Sequence, residues 1–202
     1  MKLLKLFFLL LLPAGIYAQA DVPSPEVQIK TAVLAAPEDL RDGAMVYGYN
    51  DSGKMVILRE GSNNLVCLAD DPAKKGISVS CYSKKLEPFM ARGRQLIAEG
   101  KSEMEKREIR QREAESGELQ MPDAPSMTYI LSGSEENYDR NTGELKDANF
   151  RYVIYIPYAT AESTGLPTTP FAPGMPWIMD PGTHRAHIMV TPPTSSKEKE
   201  KE

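Results

Sequence analysis

The chain has 202 residues, with 24 Lys and Arg against 28 Asp and Glu and a formal net charge of −4. No Lys/Arg cluster stands clear of interspersed acids, which argues against nucleic acid and anionic membrane surfaces as partners, since both need a basic face. The length suits one domain built around one core.

Residues 1–20 read as a secretory signal peptide. Lys2 and Lys5 make a positive start, Leu6 to Leu12 form an unbroken apolar run, and Ala18-Gln19-Ala20 is a small-x-small cleavage site. A transmembrane anchor needs about 20 apolar residues, and here Pro13 and Gly15 interrupt the run early. Cleavage removes two lysines and no acids, leaving 22 basic and 28 acidic residues and no transmembrane segment. The expected location is the periplasm or the external medium.

Asp21 to Glu26 reads as an extended lead-in, and Val27 to Ala36 fits either a strand or a short helix ended by Pro37. Ala44 to Tyr49 and Lys54 to Leu58 are β-branched and aromatic runs joined by Asn50-Asp51-Ser52-Gly53, a hairpin signal. Leu65 to Leu68 and Ile77 to Tyr82 follow as two more short strands, so the four together predict an antiparallel meander. Each of the last two carries one of the chain's two cysteines, Cys67 and Cys81. In an exported protein, cysteines on neighbouring strands pair as a disulfide. The thirteen residues between them are far from the close C-x-x-C spacing of metal and redox pairs.

Leu86, Phe89, Met90, Gly93, Leu96 and Ile97 fall on one stripe of an α-helix, with Pro88 in its first turn and Gly100 at its stop. Gly93 in that stripe would let a neighbouring strand come close. Ser102-Glu103-Met104-Glu105 has the form of a capping box opening a second helix that runs to about Gly117. Glu103 with Arg107 and Glu108 with Arg112 stand at i, i+4, and Met104 and Ile109 are its main apolar contacts. Runs of mixed charge ordinarily face water, so this helix reads as a solvated element; the sharper alternative is a partner-binding arm or lid.

Past the loop Met121 to Pro125, Met127 to Leu131 and Tyr152 to Ile156 are strands separated by a polar excursion over residues 132–149. Residues 157–176, rich in proline, threonine and glycine, form a long segment of the kind that often serves function. Ala186 to Val190 is a last strand, and residues 192–202 are a charged tail with no means of burying apolar surface. The fold class is α+β, an antiparallel sheet with two consecutive helices packed on it, in a single domain over residues 21–191.

Candidate chemistry gathers in "PWIMDPGTHRAHIMV", residues 176–190, which holds both histidines and the only tryptophan. Asp180-Pro181-Gly182-Thr183 fits a type II turn. His184 and His187 are three apart, and on a strand such residues point to opposite faces, so the H-x-x-H spacing is not a ready metal site. Imidazole beside thioether suits copper, which would pair His184 with Met179 across the turn and His187 with Met189 along the strand. Zn or Cu is thus a minor cofactor expectation, with Asp180, His184, His187 and Met189 as the candidate ligand or metal residues. Ser163 has no G-x-S-x-G elbow around it, and Asp70, Asp71 and Glu60 adjoin turns where such residues have structural uses. Asp139 to Phe150 resembles a calcium loop but lacks the bidentate glutamate at its last position.

Three stretches, "LEPFMARGRQL" (Leu86 to Leu96), "YIPYATAESTGL" (Tyr155 to Leu166) and "PWIMDPGTHRAHIMV", resemble a group of exported bacterial proteins with no established activity. The resemblance implies the compartment and a bacterial source, and no mechanism. Two function classes remain. The favoured one is a non-enzymatic secreted or envelope-associated protein that binds a partner protein or a small-molecule ligand through residues 157–187. The alternative is a metal-dependent hydrolase or metal-binding protein centred on Asp180, His184 and His187, which loses its only base if either imidazole is sealed in the core.

Overall fold

The computed structural model describes residues 22–193, so the leader and most of the charged tail lie outside the described residues. For the ambiguous segment near the start the helical alternative holds: α1 spans Pro25–Ala32 and a 3-10 turn continues over Val33–Ala35. Ser24 caps it by accepting from the Val27 N–H at 3.4 Å, and Pro25 occupies the first turn, where its missing N–H costs nothing. The helix therefore begins inside the stretch expected to be extended. Gln28 ties it to the sheet, accepting from the Tyr49 N–H at 2.7 Å and donating to the Tyr49 carbonyl at 2.9 Å.

Ten strands follow: β1 Met45–Tyr49, β2 Met55–Arg59, β3 Leu65–Leu68, β4 Ile77–Ser83, β5 Ser126–Gly133, β6 Tyr138–Asp139, β7 Glu144–Leu145, β8 Asn149–Tyr155, β9 Trp177–Met179 and β10 His187–Val190. Eight form one sheet in the order β2-β1-β3-β4-β5-β8-β10-β9, and β6 and β7 form a small separate hairpin. The fold is α+β, with a large, mostly antiparallel sheet and a few helices in a single compact domain. The expected four-strand meander is corrected at one point, because β1 and β3 run parallel. The β1–β2 hairpin closes through Gly53 at φ +69° and lays β2 on the outer edge, so the chain returns past β1 to pair β3 on its other side.

Cys67 and Cys81 are register partners on β3 and β4 and are joined as a disulfide. Both are fully buried on the face covered by α1, among Ala32, Val46, Val79 and Leu131. The alternation of the strands sends Val66 and Tyr82 to the opposite face, where they pack with Leu86, Met90 and Tyr155. That second face is covered by α2, Glu87–Ala98, with Pro88 in the first turn and Gly100 at φ +74° past the end; Phe89, Gly93 and Leu96 of the expected stripe are buried, but Ile97 is 59% exposed. Leu86 and Leu96 are completely buried, each contributing about 2 kcal/mol of burial. The Tyr82 hydroxyl donates to Glu87 at 2.6 Å and accepts from Arg94 at 2.8 Å, fastening α2 to β4.

The second helix, α3 over Glu103–Glu115, opens with both halves of the predicted capping box. Its packing differs from the sequence expectation. Met104 is 71% exposed, and Lys106, Arg110, Gln111 and Glu113 turn toward the protein instead. Gly93 accordingly admits no strand; the Arg110 guanidinium lies 3.0 Å from where its Cβ would stand. Neither expected i, i+4 pair, Glu103 with Arg107 or Glu108 with Arg112, is among the ion pairs of the described residues; Glu103 pairs instead with Lys106 at 2.5 Å. Arg92 of α2 holds Glu113 of α3 at 2.6 Å, a link between the two helices. Among the described residues no helix is long and apolar enough to cross a membrane.

Candidate functional site

The segment that drew attention in the sequence forms the β9–β10 hairpin. Its turn is of the predicted kind: the Thr183 N–H donates to the Asp180 carbonyl at 3.3 Å, and Gly182 sits at φ +76°, open to glycine and strained for other residues. Asp180 itself has φ +50°. The strain is held by the end of β8, since the Gly182 N–H reaches the Ala159 carbonyl and the Tyr158 N–H reaches the Thr183 carbonyl, both at 2.8 Å. The Thr183 hydroxyl donates to the Asp180 carbonyl at 2.8 Å and accepts from the Arg185 N–H at 3.2 Å. His184 and Arg185 therefore leave the turn in a fixed direction.

The two imidazoles do not part to opposite faces. His187 stands across from Tyr155 in the sheet register and packs on its ring at 5.3 Å. Tyr155 packs on Phe89 of α2 at 5.5 Å, and Phe89 meets the His184 ring at 5.8 Å. Both histidines thus lie on the α2 side, at the two ends of a row of four rings, because the loop between them turns His184 back under the helices. Met179 is the register partner of His187 rather than of His184, which corrects the expected His184–Met179 pairing. Met189 shares the His187 face by strand alternation.

Each histidine is buried, His184 at 2% exposure and His187 at 5%. The His187 Nδ1–H donates to the Arg185 carbonyl at 2.7 Å, and burial holds its pKa below the usual imidazole range. The His184 Nδ1–H donates to the Gln111 amide oxygen of α3, a partner 73 residues away in sequence. That bond leaves Nε2 as the unprotonated nitrogen, buried and without a hydrogen-bond partner among the described residues. Burial first, then the guanidiniums of Arg110 and Arg185, push the His184 pKa down to about 4. Among the described residues no three His, Cys, Asp or Glu side chains come together in a group that would hold a metal ion.

A cleft of about 530 Å³ opens where α3 passes over the turn. Arg107, Glu108, Gln111 and Arg112 form one wall, and Asp180, Thr183, His184 and Arg185 form the other. Of the residues singled out from the sequence, Asp180 and His184 line this cleft, while His187 and Met189 do not. Nor does residue 157–177, the proline-rich segment, reach it; that loop carries a short helix, α4 over Ala161–Thr164, and its Pro167 carbonyl accepts from Ile178 on the edge strand β9. Ser163 spends its hydroxyl on the Thr160 N–H at 2.9 Å as half of a capping box.

The wall on α3 was not found from the sequence. Arg107 and Arg112 read there as halves of helix-surface pairs, and nothing in the hydropathy pattern marks a helix whose inward side is polar. Arg185 forms an ion pair with Asp180 at 3.4 Å, yet its Nε is buried without a partner. Comparison of the chain with protein-family models, with curated proteins and with solved structures finds no match.

Proposed function

We propose that this chain is an exported, non-enzymatic binding protein of bacterial type whose ligand seats in the cleft between α3 and the 180–185 turn. One observation carries the reading: a cleft of about 530 Å³, in the range of small-molecule sites, is walled by the turn that concentrates the chain's histidines. Export is supported by the leader at residues 1–20, and the buried Cys67–Cys81 bridge is compatible with an oxidising compartment. The absence of catalysis is supported by the state of the only imidazoles: His184 is neutral, sealed and bonded to an amide, and His187 is bonded to a backbone carbonyl.

The test is a two-dimensional NMR screen of the purified protein against a mixed library of acidic, basic and uncharged organic fragments. Shifts that cluster on residues 107–112 and 180–185 support the reading. Shifts confined to the 157–176 loop, or none for any fragment, overturn it.

A further inference from the structure

The charges around the cleft do not balance. Lys106 has Glu103, Arg92 has Glu113 and Arg94 has Glu87, so the other inward-turned cations of the two helices are matched. Arg110 is not. Its guanidinium carbon stands over the Phe89 ring, 4.1 Å from the centroid, and among the described residues its hydrogen bonds are long ones of 3.4 Å to the carbonyls of Lys106 and Phe89. Burial first, then the neighbouring Arg185, push the Arg110 pKa down, while Glu103 acts against them.

Arg107 and Arg112 line the cleft from exposed positions on α3 and make no ion pair among the described residues. Three guanidiniums, those of Arg107, Arg112 and Arg185, line the cleft itself, against two carboxylates. Asp180 is engaged by Arg185 at 3.4 Å, and Glu108 lines the α3 wall. Arg185 is the one of the three that is largely buried: its Nε has no hydrogen-bond partner among the described residues, and a buried donor without one forfeits its hydration without recompense. The cleft lining thus carries one more cation than it has carboxylates, beside a buried donor left unsatisfied.

We propose that the ligand of this cleft is an organic anion whose charged group is held by Arg107, Arg112 and Arg185. The inference rests on the cleft being the binding site, and it names the ligand class. Guanidinium forks match the two oxygens of a carboxylate or a phosphate, so the shared chemistry is a planar or tetrahedral oxyanion. The cleft volume leaves room for an organic body attached to it. His184, kept neutral, adds no charge of its own, which leaves the arginines to recognise the anion.

The experiment titrates the purified protein with succinate, inorganic phosphate and uncharged succinamide, following the amides of residues 107–112 and 180–185 and the Gln111 side chain by NMR. Succinate binding at least tenfold tighter than succinamide, and weakened at least tenfold in the Arg107→Gln/Arg112→Gln double variant, supports the proposal. Both arginines are exposed and outside any ion pair among the described residues, so their replacement leaves the fold intact, checked by an unchanged spectrum elsewhere. Phosphate competing with succinate supports a general oxyanion site, and succinate binding without competition supports a carboxylate site. Equal binding of succinamide, or succinate binding indifferent to the double variant, overturns the proposal. Uncharged or basic fragments that shift the cleft while neither anion does would overturn the anion class and leave the site standing; silence of the cleft toward every fragment would overturn the site as well.

Discussion

Lowering the pH should cost this protein stability through its buried histidines, and for His184 the amount is calculable. In the unfolded chain its imidazole titrates near 6.5; in the folded protein, burial and the Arg110 and Arg185 guanidiniums bring that to about 4. Between those values the unfolded state binds a proton that the folded state refuses, so stability rises with pH across the window. The neutral ring's contribution is fully present above pH about 6.5 and lost by pH about 4, a swing of about 3 kcal/mol at 1.36 kcal/mol per pH unit. His184→Gln removes the titration while keeping a side chain able to reach Gln111. Urea denaturation of both proteins from pH 7.5 to pH 4 reads the difference. The variant is expected to be the less stable at pH 7.5, with the gap narrowing by about 3 kcal/mol on acidification. A gap that stays constant across the range refutes the reasoning, and so does a His184 ring that titrates by NMR near 6.5.

Asp70 slopes the other way: burial lifts its pKa to about 6, so its ionisation costs the folded state nothing below pH about 4 and its full amount, about 3 kcal/mol, above pH about 6. Asp70→Asn keeps the acceptor for the Ser78 N–H and is expected to raise stability at pH 7.5 but not at pH 4, read by the same denaturation series. Reducing the buried Cys67–Cys81 bridge should lower the unfolding free energy by about 3 kcal/mol in the chain-entropy picture, measured as a fall in urea midpoint with and without reductant. Tyr82→Phe removes the hydroxyl between Glu87 and Arg94 in a fully buried position and should cost about 1 to 3 kcal/mol; a neutral substitution would mean that the Arg94–Glu87 pair, at 2.5 Å, suffices alone.

Much of the fold was legible because it rests on short-range signals. The β1–β2 hairpin follows from the Asn50 to Gly53 turn, α2 from its apolar stripe and terminal Pro88 and Gly100, and the opening of α3 from Ser102 and Glu105. What escaped depends on choices between surfaces that look alike in sequence. A hairpin strand has two sides, and nothing in β3 says that it takes the free side of β1 in parallel. Periodicity finds a helix by its apolar face, and the inward face of α3 is built of Lys106, Arg110, Gln111 and Glu113. Alternation along a strand separated His184 from His187, but His184 precedes the strand and is steered by the turn, so the ring row through Phe89 and Tyr155 reunites them on one side. The half of the cleft drawn from α3 could not be read from the motif around the histidines.

The polar underside of α3 bears on how the molecule opens. Denaturants act in proportion to the surface that an opening exposes, and lifting this helix would bare guanidiniums, an amide and a carboxylate more than hydrocarbon. Such an opening would respond to salt, which screens the Arg92–Glu113 attraction between α2 and α3. In native-state hydrogen exchange the amides of α3 would then form a unit apart from α2, whose Leu86 and Leu96 anchor it to the sheet. The α3 wall of the cleft is fastened to α2 in part by charge, so ionic strength would bear on how far the cleft stands open while the core beneath it keeps its shape.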